Sequence, residues 1–317
     1  MNIVIPDDYQ DAVRTLDCFA KLAGHNVRVY NDTVRDIDVL AQRFAEVDAL
    51  VLIRERTHIT EELLARLPKL KLIAQTGRGV AHIDINACSR RGVMVTAGSG
   101  SPYATAELTW ALILAAMRRI PQEAARLRSG LWQGVLGTGL RGRTLGIFGY
   151  GSIGAVVAGY GRAFGMKVVV WGREGSLARA QADGYAVAES KAALFEQSDV
   201  LSLHIKLSAE TRDIVAEGDL TAMMPTALIV NTSRAGLIAP GALEAALRTG
   251  RPGFAAVDVY EEEPVLGAAH PLLALENVLC TPHLGYVEKD GYEGYFGQAF
   301  DQVVAFAASA PIGVINP

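Results

Sequence analysis

The stretch Thr144-Leu145-Gly146-Ile147-Phe148-Gly149-Tyr150-Gly151-Ser152-Ile153-Gly154 runs from an apolar segment straight into the spacing G-x-G-x-x-G. A helical period follows to about Phe164, and a second apolar run occupies Lys167–Trp171. This is the strand–turn–helix–strand context that the glycine pattern requires. Within it each glycine has a task. Gly149 permits the tight turn, Gly151 lets a pyrophosphate approach the backbone, and Gly154 lets helix and strand pack closely. The amides around Tyr150, Ser152 and Ile153, at the positive end of the helix dipole, would face the phosphates. The stretch predicts a parallel α/β layer that binds a dinucleotide.

Outward from this loop the same unit recurs, a short β-branched run followed by a helical period. Upstream the strand candidates are Asn2–Ile5, Asn26–Tyr30, Ala49–Ile53, Leu70–Ala74 and Val93–Thr96, with amphipathic stretches at Asp36–Ala45 and Thr60–Leu67. Downstream they are Thr144–Phe148, Lys167–Trp171, Asp199–His204, Ala227–Asn231, Gly253–Val259 and Val278–Thr281. The expected fold is therefore α/β, with two Rossmann-like doubly wound parallel-sheet domains and a cleft between them. The join falls in the small, flexible run Ala97–Pro102, with Ser101 as N-cap of an apolar helix over roughly Tyr103–Ile120. A final helical run at Gly291–Ala308 must pack somewhere, and a return to the first domain is the economical choice. The expected division is 1–98 plus 285–317 for a discontinuous substrate-binding domain and 99–284 for the dinucleotide-binding domain.

Bulk properties narrow the function classes. At 317 residues, with half of them apolar, a fifth charged and a formal net charge of −4, the composition is that of an ordinary globular chain with two domains. Nothing in it favours nucleic-acid binding, which would call for a basic stripe. No apolar run approaches the roughly 18 residues of a membrane span. The N-terminus lacks a basic segment before its apolar run, so a signal peptide is not expected. Cys18, Cys88 and Cys280 are far apart and in no metal-binding spacing. A cytoplasmic protein without a structural metal is expected.

An acidic residue about 20 positions past the glycines normally takes the ribose hydroxyl of NAD. Here the second strand ends Val170-Trp171-Gly172-Arg173, with no carboxylate in that place. Arg173 would instead pair with a 2′-phosphate, which tilts the cofactor from NAD toward NADP. A solvated surface arginine, with Glu174 or a backbone group on the ribose, is the alternative.

In an open parallel sheet, ligands bind beyond the carboxyl ends of the strands. Arg234 follows one downstream strand, Asp258 and the run Glu261-Glu262-Glu263 close the next, and His283 follows the last. In the upstream set Arg54 and Arg56 follow one strand, and Gly77-Arg78-Gly79 the next. Such groups suit reduction of a 2-keto acid. That reaction needs a cationic fork for the carboxylate and carbonyl, and a proton donor for the oxygen as hydride arrives. A carboxylate on the far nitrogen of a donor histidine fixes its tautomer. His204 also ends a strand on this rim and competes for the proton role, whereas His25, His58, His82 and His270 read as structural.

These residues resemble the D-isomer-specific 2-hydroxyacid dehydrogenase family, which includes phosphoglycerate dehydrogenases and glyoxylate/hydroxypyruvate reductases. The markers are Gly-Arg-Gly-Val-Ala-His-Ile-Asp (77–84), Thr-Ala-Glu-Leu (105–108), the glycine loop, Asn-Thr-Ser-Arg-Ala-Gly (231–236), Asp-Val-Tyr-Glu-Glu-Glu-Pro (258–264), His-Pro-Leu (270–272) and Thr-Pro-His-Leu-Gly (281–285). The resemblance implies that Arg234 binds substrate, that His283 is the acid/base, and that Glu263, which directly precedes Pro264, is its partner. It implies that Arg54 and the amides of Arg78 and Gly79 meet the substrate's anionic groups. It places Asp258 and Thr105 at the nicotinamide, and His204, Lys206, Thr211 and Thr232 along the cofactor groove. It also implies a homodimer, to which the apolar arm Leu131-Trp132-Gln133-Gly134 would contribute. The substrate pocket depends on loops and on the closure of the two domains, and Tyr286, Arg54 and Trp132 are candidates to line it.

Departures from the family pattern bear on the cofactor and substrate. Gly172-Arg173 replaces the usual acid, and Lys206 stands where His-x-Pro-Leu would have proline, adding positive charge near the adenosine end. Ala235 replaces a common glycine and is expected to be silent. A chain ending at Pro317 leaves no room for the C-terminal regulatory domain of some phosphoglycerate dehydrogenases, which weakens that substrate reading. Two rival functions remain to be weighed. A cofactor-sensing corepressor-like protein shares the fold, but no peptide-docking extension is evident. A formate dehydrogenase would carry glutamine where Glu263 stands.

Overall fold

The protein is described here, over residues 1–316, from a computed structural model. It divides into two compact units, Met1–Ser101 together with the chain from Val287 on, and Pro102–Tyr286.

In the first unit, β1 (Asn2–Ile5), β2 (Asn26–Val29), α1 (Ile37–Phe44), β3 (Ala49–Leu52), α2 (Glu61–Ala65), β4 (Leu72–Gln75), α3 (Ile85–Arg90) and β5 (Met94–Ala97) alternate as the pattern predicts. The strands form one parallel sheet in the order β2-β1-β3-β4-β5. All four residues of β3 and of β4 are buried, which explains why they read as continuous apolar runs rather than alternating ones. The helices start on side-chain caps. Asp36 accepts from the amides of Asp38 and Val39, Thr60 from Leu63, and Asp84 from Ala87.

The second unit opens with α4 (Tyr103–Met117) and α5 (Ile120–Arg128). Here the structure corrects the expected single helix to Ile120. Arg119 adopts a left-handed conformation (φ 55°), which ends α4, and Pro121 then sits in the first turn of α5. Pro102, with helical torsions (φ −77°, ψ −17°), stands immediately before Tyr103 at the N-cap position. There follow β6 (Thr144–Phe148), α6 (Ser152–Ala163), β7 (Lys167–Trp171), α7 (Glu174–Ala182), β8 (Ala186–Val187), α8 (Lys191–Gln197), β9 (Val200–Leu203), α9 (Glu217–Thr221), β10 (Leu228–Asn231), α10 (Ala242–Arg248), β11 (Phe254–Val257) and β12 (Val278–Cys280). The sheet is parallel, in the order β12-β11-β10-β9-β6-β7-β8. Strand order reverses between β6 and β9, so the glycine loop after β6 lies at a topological switch point.

Both faces of this sheet are covered. Phe195, Leu220, Leu237 and Leu243 pack on one, and Trp110, Ile113, Val157 and Ala158 on the other. The chain then returns to the first unit as α11 (Lys289–Ala307), which packs on the 3-10 segment Asp17–Leu22 and on β3, β4 and β5. Gln302 of α11 is fully engaged there, accepting from Thr96 Oγ1 at 2.8 Å and donating to Ala97 O at 2.9 Å. Among the described residues no helix is long and apolar enough to cross a membrane.

Candidate active site

The glycine loop has the shape its spacing demands. Gly149 has φ 101°, and a Cβ there would lie 2.7 Å from His204 O. A Cβ at Gly154 would lie 2.2 Å from Gly149 O, so α6 reaches the strand end only because that carbon is missing. At Gly151, by contrast, an added Cβ would meet nothing within 4 Å. Its open side leaves space for a phosphate beside the first amides of α6, so the loop fits a dinucleotide. Tyr150 turns its side chain inward, donating from its hydroxyl to Asp183 Oδ2 at 2.6 Å, and offers the loop only its backbone. Ser152 begins α6, and Ile153 packs against the core.

Other groups expected at the cofactor fall into two kinds. Arg173 and Lys206 are exposed, with Arg173 at the N-cap position of α7 just past Trp171 and Gly172. Trp171 packs against the core. Thr211 donates to Lys206 O at 2.7 Å and accepts from Ser208 N at 2.8 Å, so its hydroxyl shapes the loop after β9. His204 Nε2 meets Ser202 Oγ at 2.8 Å, and desolvation pushes its imidazole down to about 4. A histidine that burial keeps neutral is a poor proton donor to a keto oxygen, which argues against His204 in that role.

The three residues chosen for catalysis follow three adjacent strands. Arg234 comes after β10, and its backbone carbonyl accepts from Asn231 Nδ2 at 2.9 Å while Nη1 donates to Ser233 O at 2.8 Å. Glu263 lies in the loop after β11, and His283 in the loop after β12. His283 Nδ1 meets Glu263 Oε2 at 2.5 Å. A carboxylate can only accept, so Nδ1 carries the hydrogen and Nε2 is the nitrogen left to exchange a proton. The other carboxylate oxygen, Glu263 Oε1, accepts from Tyr260 N at 2.9 Å, which fixes the carboxylate as the carboxylate fixes the ring. Tyr286 is buried and packs edge-on to the imidazole with ring centres 5.3 Å apart. The neighbouring glutamates are used differently. Glu261 Oε2 meets His270 Nε2 at 3.0 Å, so His270 of the His-Pro-Leu run secures the loop rather than the chemistry.

Asp258 has a task that the sequence reading did not give it. Fully buried, it accepts from Thr281 Oγ1 at 2.6 Å and from the amides of Leu284 at 2.7 Å and Gly285 at 2.9 Å. Burial raises its carboxyl above the usual range, while these donors and His283 lower it. The loop it grips carries His283, which has φ 52°, a conformation a non-glycine residue holds only when its surroundings impose it. Tyr260 helps from the other side by donating its hydroxyl to Thr281 O at 2.9 Å. Tyr260 was not singled out from sequence, and its place between Asp258 and Glu263 was the available signal. The threonines join α4 to this loop and to β10. Thr105 donates to Gly285 O at 2.7 Å, Thr109 to Thr105 O at 2.7 Å, and the hydroxyls of Thr109 and Thr232 are 2.7 Å apart.

In the first unit the candidate anion contacts cluster at the ends of β3 and β4. Arg54 is also left-handed (φ 53°), donates its amide to Thr76 Oγ1 at 2.9 Å, and lays its guanidinium over Tyr295 at 5.3 Å. It passes so close over Gly77 that a Cβ there would collide with Nη1. Arg78 is exposed, and Gly79 packs against Glu55. Arg56 is committed elsewhere, donating to Asp7 O at 2.5 Å and lying over Tyr9 at 4.3 Å.

Residues 110–285 match the model of the D-isomer specific 2-hydroxyacid dehydrogenases, in its NAD binding domain. The chain belongs to that family. It is 39% identical over 291 residues to a glyoxylate reductase of Aeropyrum pernix, covering 88% of this chain and 86% of that one. It is 38% identical over 249 residues to a D-3-phosphoglycerate dehydrogenase of Methanocaldococcus jannaschii, covering 78% of this chain but only 47% of that protein. Among solved structures, a phosphoglycerate oxidoreductase of Vibrio cholerae O395 superposes with a TM-score of 0.95 at 54% identity, covering 98% of this chain and 100% of that one. This D-2-hydroxyacid dehydrogenase is an oxidoreductase that moves a hydride between a nicotinamide dinucleotide and a small 2-keto or 2-hydroxy acid. The corepressor-like alternative is not favoured.

Proposed function

We propose that the enzyme reduces glyoxylate, hydroxypyruvate or a closely similar 2-keto acid to the D-2-hydroxy acid, with NADPH as the preferred reductant and with Arg234, Glu263 and His283 as the catalytic set. The observation that carries this reading is the 2.5 Å contact between His283 Nδ1 and Glu263 Oε2, which commits Nε2 to proton exchange. A reduced nicotinamide, when bound, supplies the hydride. Arg234 holds the substrate carboxylate and polarises the carbonyl with its planar fork. His283 Nε2 gives its proton to the carbonyl oxygen as the carbonyl carbon is reduced, and Glu263 holds the ring in the donating tautomer. The proton His283 gives up is then replaced from solvent, so each turnover consumes one keto acid, one reduced cofactor and one proton. Arg54 and the amides of Arg78 and Gly79 are the proposed contacts of the substrate's anionic groups.

The cofactor would lie along Gly149–Gly154, with Thr105 and Asp258 toward the nicotinamide and His204, Lys206, Thr211 and Thr232 lining its course. The lean to NADP rests on exposed Arg173 at the start of α7, with Lys206 also exposed, and on the missing carboxylate at the end of β7. Arg173→Ala should weaken NADPH binding at least about tenfold relative to NADH. An NADPH affinity unchanged relative to NADH in that variant would overturn the preference. A homodimer in the cytoplasm completes the proposal. It is supported by the arm residues Leu131, Trp132, Val135 and Leu136, exposed at 51%, 73%, 51% and 99%, and by three unpaired cysteines.

The test is a panel of glyoxylate, hydroxypyruvate, phenylpyruvate and 3-phosphohydroxypyruvate against NADH and NADPH. Turnover should be highest for one of the first two with NADPH. A preference for 3-phosphohydroxypyruvate would reassign the substrate, and tight cofactor binding without any turnover would overturn the enzymatic reading.

A further inference from the structure

Two tyrosines of α11, Tyr292 and Tyr295, stand three residues apart and so share one face of the helix. Both are buried, but their rings meet different partners. Tyr292 packs edge-on to Phe296, with ring centres 5.4 Å apart, within the core of the first unit. Tyr295 reaches instead to the turns that follow β4 and β5. A Cβ added to Gly77 would lie 3.5 Å from its Cε1, and one added to Gly100 would lie 3.0 Å from its hydroxyl oxygen. The ring therefore sits in a slot that two glycines leave open.

Arg54 closes this slot. Its backbone is tied to the end of β4 on both sides, because its amide donates to Thr76 Oγ1 at 2.9 Å and its carbonyl accepts from Gln75 Nε2 at 3.0 Å. Those bonds fix the backbone but not a long, flexible side chain. The guanidinium lies over the Tyr295 ring at 5.3 Å, within the roughly 6 Å of a cation–π contact. So placed, it passes over Gly77, where the turn Gly77-Arg78-Gly79 begins. All of these groups belong to the first unit. We infer that Tyr295 is a positioning residue for the reaction: its ring holds the Arg54 guanidinium at the Gly77–Gly79 turn, so the cation that meets the substrate's anionic group is ordered before substrate arrives. Ordering in advance lowers the entropy lost on binding. The gain is equal for bound substrate and transition state, so the ring acts on KM and not on kcat. The inference rests on the reading of Arg54 as a substrate contact.

Steady-state reduction of the preferred keto acid at saturating NADPH tests it. Tyr295→Leu should raise KM at least about fivefold, with kcat within about twofold of the wild type and NADPH affinity unchanged. Tyr295→Phe keeps the ring and should bring KM back to within about twofold of the wild-type value. Arg54→Ala should raise KM at least as far as Tyr295→Leu does, and adding Tyr295→Leu to it should raise KM no further. Arg54→Lys changes a half-buried side chain, keeps the charge and loses the planar face that lies on the ring. It should raise KM at least about fivefold, and it decides the matter where Tyr295→Leu fails to fold. A wild-type KM in Tyr295→Leu or in Arg54→Lys would overturn the positioning role. So would a fall in kcat that matches the rise in KM, a Tyr295→Phe variant as impaired as Tyr295→Leu, or a further rise in the double variant. A wild-type KM in Arg54→Ala would instead overturn the reading of Arg54 as a substrate contact, and the inference with it.

Discussion

The carboxylate of Asp258 accepts the amide of Gly285 at 2.9 Å, two residues beyond His283 in the loop after β12. A buried acid thereby sets the backbone of the loop that carries His283. Asp258→Asn keeps the size but replaces one acceptor with a donor that faces an amide. It should cost about 1–3 kcal/mol of stability and lower kcat by about tenfold or more. Thermal unfolding and steady-state kinetics check both, and a variant with wild-type Tm and kcat would contradict the anchoring role.

The glycine loop separates two kinds of substitution. Gly151→Val puts a side chain where an added Cβ meets nothing within 4 Å, so Tm should change little while cofactor affinity drops at least about tenfold. Gly154→Ala forces a contact of 2.2 Å with Gly149 O and should lower Tm by several degrees, whatever its effect on binding. Melting curves and cofactor titrations on the two variants distinguish the effects. The reverse pattern would mean that the open side of the loop does not hold the phosphates.

Much of this was legible beforehand because it depends on local patterning. Runs such as Ala49–Leu52 and Leu228–Asn231 are buried throughout, and the residues just past such strands had to lie on the rim of a parallel sheet. The resemblance pairs Glu263 with His283 from its position before Pro264, and their side chains meet at 2.5 Å. What escaped was what long-range contacts decide. The break at Arg119 depends on one backbone torsion, and β8 is two residues long. Asp258 as an anchor depends on amides 26 and 27 residues away. Tyr260 matters through its amide on Glu263 and its hydroxyl on Thr281 O, contacts that only the folded loops create.

Two histidines predict an acid limit to stability. Burial holds His82 and His204 down at about 4, against an ordinary value of 6.5. The unfolded chain therefore binds more protons between these values. Stability is present in full above about pH 6.5 and is lost as pH falls toward 4, by on the order of a few kcal/mol. Both ring nitrogens of His82 are buried without a hydrogen-bond partner, so His82→Leu should flatten part of this slope. Denaturant unfolding at pH 7 and pH 4.5 measures it. A variant whose stability falls as steeply as that of the wild type would show that His82 does not contribute.

The exposed arm predicts a mass. With Trp132 and Leu136 both changed to serine, a chain that is dimeric at micromolar concentration should become monomeric in sedimentation, because the apolar surface that excludes water from the contact is lost. A wild-type chain already monomeric under those conditions would remove the dimer proposal.

The central claim is that His283, oriented by Glu263, gives the proton. Steady-state reduction of the preferred keto acid by His283→Ala tests it most directly, with cofactor affinity measured on the same protein. The expected result is a fall in kcat of about 10²–10⁴-fold with cofactor affinity unchanged. Near-normal reduction by that variant would contradict the account and move the proton to His204 or to water.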